Sequence, residues 1–204
     1  MNDTTEQRLR GIRTQDVRGA ATRAAQTFTE ESGEQATVAY TTIDTPLGSM
    51  TAASTRRGLV RLAYVRERTD DVLEELAASI SPCILEVPAR LDDVARQLDE
   101  YFDHRRTRFD LSLDRQLIHG FGKAVLRATQ QIPYGQVSSY GEIAAEAGNR
   151  RAARAAGSAL GANPIPIVIP CHRVLRAGGA LGGYGGGLDV KKFLLDLESY
   201  PVSP

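Results

Sequence analysis

The sequence predicts an α+β protein, a small N-terminal α/β domain joined to a mostly helical C-terminal domain with a helix-turn-helix. Three observations predict it. Strand signals gather early, in "ATVAYTTIDTPLGSMTAAS" and, after the turn-like "TRRG", in "GLVRLAYV", which together read as a hairpin. Helical spacing dominates afterwards, ending in two short helices around "AGN". Charge divides as well: from Arg115 onward ten Lys/Arg stand against five Asp/Glu. This half therefore carries +5 and the preceding 114 residues −5, in a chain of zero net charge. A basic half suits an anionic partner, the bland alternative being chance segregation of solvated charge.

Taken in order, residues 1–36 are rich in Thr, Arg, Ala and Glu and read as a flexible extension. Residues 37–114 make the N-terminal domain. Within it "DDVLEELAASI" and "ARLDDVARQLDEYF" have helical spacing, the second with Leu91, Val94, Leu98 and Phe102 on one stripe. "DHRRTRFDLSLDRQ" is the linker that crosses to the C-terminal domain, residues 115–204. There "GKAVLRATQQI" is a helix stopped by "PYGQ". "SSYGEIAAEAG" opens on a capping box, Ser139 with Glu142 three residues on, and closes at Gly148. "NRRAARAAGSALGAN" follows as a second helix after a very short turn. The last helix, "LDVKKFLLDLE", sets Val190, Phe193, Leu194 and Leu197 on an apolar stripe with Glu198 at its edge.

Composition narrows the function classes. Hydrophobic residues at 42% and charged residues at 25% are an ordinary globular mix with enough apolar material for a core. No apolar run approaches the roughly 18 residues of a membrane span, and the polar start of the chain lacks a secretory signal. Two cysteines, Cys83 and Cys171, fit a reducing interior, and no Cys/His group has zinc-finger spacing. The expectation is a cytoplasmic protein with no metal and no cofactor.

The second helix of the pair is nearly bare, with Ala152, Ala153, Ala155, Ala156, Gly157 and Ala159. Arg150, Arg151 and Arg154 are expected to share one of its faces. A helix that reads bases in the major groove needs several long hydrogen-bonding side chains. This one suits close approach to a nucleic-acid backbone or a tight groove with little sequence readout. Close packing of small residues against a neighbouring helix is the competing reading.

The stretch "NPIPIVIPCHRV" holds the chemistry. Its prolines are expected to prevent helix, force an extended path and deliver Cys171 at the end of a stiff buried segment. A reactive cysteine is a thiolate, while a free one near pKa ~8.5 is mostly thiol at neutral pH. His172 is the neighbouring base, and an acid orienting its far nitrogen completes a Cys–His–carboxylate relay. Adjacent side chains diverge, so a water carries the proton between them. The alternative is a buried small cysteine beside a capping histidine. Downstream, seven glycines between Gly178 and Gly187 let backbone N–H groups approach a ligand, with Tyr184 supplying a flat face.

"IPCHRV", preceded by "GNRRAARAAGSALGANPIPI" and followed by "GALGGYGGGLDVKKFLLDLE", closely resembles the O6-alkylguanine-DNA alkyltransferases. The likeness runs from about Phe121 to Glu198, and more loosely back through "LDEYFDHRRTRFDL" and "TPLGSM". It implies a ribonuclease H-like N-terminal domain. It also implies irreversible, single-turnover transfer of an alkyl group from guanine O6, or thymine O4, in DNA to a cysteine after base flipping. Carried over, Cys171 is the acceptor, His172 its base through water, and Glu198 orients the histidine. Arg154 is the finger that fills the vacated stack, flanked by Arg150, Arg151, Ala153 and Ser139 at the DNA. Tyr140 turns the nucleotide and hydrogen-bonds guanine N3, and Asn163 braces the turn before the cysteine. Tyr184 packs on the extruded base, the Val174 carbonyl accepts from its amino group, and Gly185 and Pro166 complete the pocket.

Some positions depart from that pattern. Gly185 stands where many relatives have Ser, and "ALGAN" lacks a basic residue two positions before Asn163. The implied partner is double-stranded DNA bound by a monomer on the minor-groove side, in a bacterial-type cytoplasm and on the nucleoid. Two other readings stay open: a module of the same fold that flags alkylated DNA without repairing it, and a small-molecule cysteine hydrolase. The first lacks an acceptor cysteine in known relatives, and the second would turn over.

Overall fold

β-Branched and small residues predominate in β1 (Val38–Thr45), β2 (Gly48–Thr55) and β3 (Gly58–Ala63), and consecutive strands pair antiparallel. The computed structural model describes residues 37–200; the extension read for residues 1–36 lies outside them. The β1–β2 turn is tight, with the Thr45 hydroxyl donating to the Gly48 carbonyl at 2.8 Å. Helix α1 (Thr69–Ser79) follows, then β4 (Ile84–Glu86), which pairs parallel to β1 and gives the sheet order β3-β2-β1-β4. β4 escapes the sequence reading because three residues between Pro82 and Pro88 are too few to display a period.

Both faces of this sheet are covered. Met50, Ala52, Leu59 and Leu62 face the main core, while Ala53, Val60 and Ala63 pack with Val72 and Leu76 of α1. A 3₁₀ turn (Pro88–Leu91) leads into α2 (Asp92–Phe102). Its stripe of Leu91, Val94, Leu98 and Phe102 is buried as expected, and so is Tyr101. The linker after α2 is tied down: Gln97 exchanges two hydrogen bonds with the Asp110 backbone, at 2.8 and 2.9 Å, and Leu113 bridges to Leu59.

The second half is helical. Helix α3 (Phe121–Thr129) precedes α4 (Tyr140–Glu146), which carries the predicted capping box between Ser139 and Glu142. Helix α5 (Ala153–Gly161) begins later than expected. Residues 147–152 form the turn, so Arg150 and Arg151 sit in it and only Arg154 is on the helix. The six-residue turn replaces the very short one read from sequence; Gly148, at φ 88°, ends α4 but leaves the chain four more residues to redirect.

The segment 163–170 is also corrected. It is a compact buried turn rather than an extended path: Ile169 donates to the Ile165 carbonyl at 2.9 Å, and Pro166 bridges to Ile169. Proline fixes its own φ and biases the residue before it, but Ile167 precedes Val168 and escapes both constraints. It takes φ 71°, a conformation that costs a β-branched residue about 1–3 kcal/mol and persists only where surroundings over-determine it. The turn closes on a 3₁₀ turn (Cys171–Arg173), then β6 (Val174–Leu175), which pairs parallel to β5 (Ser138–Ser139).

The last helix, α6 (Leu188–Leu197), is rotated from its predicted stripe. Lys191, Leu194, Leu195 and Glu198 are buried, whereas Phe193 is 38% exposed. Apolar identity alone misplaces this face because the interior takes a Lys and a Glu. One main core runs through both halves, from Met50 and Leu59 to Ile143, Ile169 and Leu194. β3 also reaches across, its Leu62 N–H donating to the Pro164 carbonyl at 2.8 Å. Among the described residues no helix is long and apolar enough to cross a membrane.

Candidate active site

Asn163, two residues past the end of α5, builds the site's first half. Its Oδ1 accepts from the Ile165 N–H at 3.1 Å, and its Nδ2 donates to the Ile169 carbonyl at 2.9 Å and to Cys171 Sγ at 3.1 Å. One amide therefore braces the turn at both ends and touches the thiol. Cys171 is buried behind it.

His172 and Glu198 supply the second half. His172 is wholly buried, with Nε2 3.0 Å from Glu198 Oε1 and with Nδ1 lacking a hydrogen-bond partner among the described residues. Glu198 gathers further donors: Arg173 Nε and Nη2 at 2.8 Å each, the Tyr101 hydroxyl at 2.6 Å and the Gly135 N–H at 3.3 Å. Burial alone would raise its carboxyl, but hydrogen bonds from His172 and Arg173 and the positive charge of Arg173 outweigh burial and hold it at about 2. Burial pushes His172 below its ordinary value against the pull of Glu198, so the ring is neutral. With Glu198 ionised, Nε2 carries the hydrogen and Nδ1 is the basic nitrogen.

Burial likewise pushes the Cys171 thiol up, against hydrogen bonds from Asn163 and Tyr184 and the charge of Lys191. The resting group is a thiol, where the sequence reading expects a thiolate. Lys191 lies fully inside α6's buried face, with Nζ donating to the Val174 carbonyl at 2.6 Å, and burial lowers it to about 8. A thiol beside a neutral imidazole that a carboxylate orients can be deprotonated when an electrophile arrives.

Known proteins share this arrangement of sequence. Residues 38–115 match the description "6-O-methylguanine DNA methyltransferase, ribonuclease-like domain", and residues 120–200 match the DNA-binding domain of the same name. A methylated-DNA–protein-cysteine methyltransferase of Mycolicibacterium paratuberculosis is 44% identical over 161 residues, 79% of this chain and 92% of that protein. The chain belongs to the 6-O-methylguanine DNA methyltransferase family. A crystal structure of the Mycobacterium tuberculosis O6-methylguanine methyltransferase superposes with TM-score 0.68 at 39% identity, covering 82% of this chain and 95% of that one. A structure of the OGT protein of the same organism in complex with DNA gives TM-score 0.67 at 40% identity, over 78% and 92%.

In this methyltransferase the remaining residues read from sequence fall into two groups. Tyr140, Arg154 and Tyr184 line a groove of about 820 Å³ beside α5, and Gly185 and Ala153 join them. Arg154 is exposed on α5; Arg150 and Arg151 are exposed in the preceding turn. Ser139 is occupied as the N-cap of α4, accepting from the Glu142 N–H at 3.2 Å. Pro166, Asn163, Cys171, Tyr184 and Gly185 line a separate cavity of about 430 Å³. The Val174 carbonyl is buried and already holds Lys191.

Sequence reasoning missed four residues. Arg173 stands inside the quoted motif, and a cation in a buried run was the signal for a partner acid. Lys191 lies seven residues before Glu198, on the same helical face. Tyr101 and Tyr64 come from the N-terminal half, 97 and 120 residues from Glu198 and Tyr184, their hydrogen-bond partners, and no local pattern announces either.

Proposed function

We propose that this protein repairs DNA directly, taking the alkyl group from O6 of guanine, and from O4 of thymine, onto Cys171 once per molecule. Family membership supports the reaction, and one observation carries the residue assignment: Glu198 Oε1 lies 3.0 Å from His172 Nε2, leaving Nδ1 as the base. An alkyl group on O6 sits inside the stack, so the nucleotide must leave it at a cost of a few kcal/mol. Arg154, exposed on α5, fills the space, and Tyr140 at the start of α4 turns the nucleotide and hydrogen-bonds guanine N3. Arg150 and Arg151, exposed in the turn, contact phosphates. The small residues of α5 favour the minor-groove side with little sequence readout. A monomer working in the cytoplasm, on the nucleoid, suffices for this chemistry.

In the chemical step, His172 Nδ1 takes the thiol proton through a water molecule. Sulfur then forms its bond to the alkyl carbon as the carbon–O6 bond breaks, and that electron pair passes to guanine. Hydrogen bonds from Tyr140 and loop N–H groups stabilise the departing base. Tyr184 and Gly185 border both the groove and the cysteine cavity and would frame the base between them. The product is a thioether, which the site has no group to cleave.

Intact mass after mixing with a duplex containing O6-methylguanine tests this. One methyl per molecule is expected, mapped to Cys171, and none for Cys171→Ala. A gain that survives in Cys171→Ala removes the assignment. Binding without any gain favours a damage sensor, and release of product over many turnovers favours a hydrolase.

A further inference from the structure

The groove beside α5 and the cavity at Cys171 are distinct, and the thiol lines only the cavity. Tyr184 stands between them. Its hydroxyl is 2.7 Å from the Tyr64 hydroxyl, and Tyr184 lines the same cavity as Cys171, the space an incoming alkyl group would have to enter. The two tyrosine rings meet edge to face, with centroids 6.0 Å apart.

The two partners are held differently. Tyr64 follows β3 and is only 5% exposed. Glu67 clamps it: the Tyr64 N–H donates to Glu67 Oε1 at 3.3 Å, the Glu67 N–H donates to the Tyr64 carbonyl at 2.9 Å, and Arg61 holds the same carboxylate. Tyr184 sits instead in a loop with seven glycines between Gly178 and Gly187. That loop runs close against Tyr64, since a Cβ on Gly186 would come within 2.8 Å of the Tyr64 ring. A hydroxyl clamped by its own segment therefore holds one carried on a glycine-rich loop.

We infer that Tyr64 is a positioning residue that latches Tyr184 across Cys171, so that a base reaches the sulfur only by breaking the Tyr64–Tyr184 hydrogen bond. The latch makes the protein selective for lesions delivered by DNA, because contacts along α5 can offset the opening cost and a free base makes none of them. The N-terminal half thus sets access to a site whose reacting groups all lie in the other half. This rests on the alkyl-acceptor reading of Cys171.

Two measurements on the full chain test it. The first is the rate at which iodoacetamide labels Cys171, read by peptide mass so that exposed Cys83 does not interfere. Tyr64→Phe, which keeps the ring and removes only the hydroxyl, should speed labelling about two- to tenfold, the factor expected from one neutral hydrogen bond. Tyr184→Phe should speed it at least as much, and the double variant should match Tyr184→Phe alone, because the two hydroxyls act as one unit. The second is alkyl transfer from free O6-benzylguanine against transfer from the duplex, where Tyr64→Phe should raise the free-base rate more.

Unchanged or slower labelling in Tyr64→Phe, or effects that add in the double variant, would overturn the latch. A purely structural role predicts a lower melting temperature without faster labelling. The labelling arm does not depend on alkyl transfer, so failure of the latch and failure of the repair reading give different results.

Discussion

Glu198 is the residue on which the relay depends, because five hydrogen bonds from four residues converge on one buried carboxylate. Such a group is stable only while it is charged and paired. Its folded value of about 2 lies below the ordinary 4.5, so between those values the unfolded chain binds more protons than the folded one. The stability it contributes is fully present above about pH 4.5 and is lost as pH falls to about 2. The shift corresponds to about 3 kcal/mol. Glu198→Gln should flatten the acid limb of a stability-against-pH curve from denaturant melts across that window. At neutral pH it should also cost roughly 3–5 kcal/mol, since Arg173 loses its counter-charge in the interior. An acid limb unchanged by the substitution would mean another group controls it. Catalysis should fall as well, because an amide no longer fixes which nitrogen of His172 is basic.

At the scale of elements, α5 joins a small-residue surface to one exposed arginine. With the proposed role of Arg154 in filling the vacated stack, Arg154→Ala should slow repair in duplex DNA by roughly ten- to hundredfold. Transfer from a free base should change little; equal losses on both substrates would show that Arg154 acts at the chemistry instead. The elements also differ in how legible they were. The α2 stripe and the α4 capping box could be read directly because local patterns determine them, and Cys171, His172, Asn163 and Glu198 were marked by residue type in a recognisable order. The α6 face could not be read by hydrophobicity, because Lys191 and Glu198 are buried for the Val174 carbonyl and the relay. The turn at 163–170 was misread because proline restricts only itself and its predecessor, which left Ile167 to be set by its packing. Tyr64 and Tyr101 were invisible for a different reason: their partners lie in the other half and meet them only in the folded chain.

Across the whole molecule, the halves share more than a boundary. One apolar core joins the sheet to α4 and α6, β3 pairs with Pro164, and two N-terminal tyrosines reach Tyr184 and Glu198. Residues so coupled should unfold together, so far-UV and near-UV signals should share one midpoint, and the calorimetric and van't Hoff enthalpies should agree. Tyr101→Phe tests the coupling most directly, because it removes one buried hydroxyl from the N-terminal half and leaves its ring against Phe102 and Phe109. A hydrogen bond to a charged group contributes about 1.5–3 kcal/mol, and the lower end applies because Arg173 and His172 still hold Glu198. At about 2–4 °C per kcal/mol for a domain of this size, the midpoint should fall by roughly 3–6 °C in both signals at once. Two resolved transitions, or a shift in one signal only, would mean that the halves fold independently and that the carboxylate is held from its own side alone.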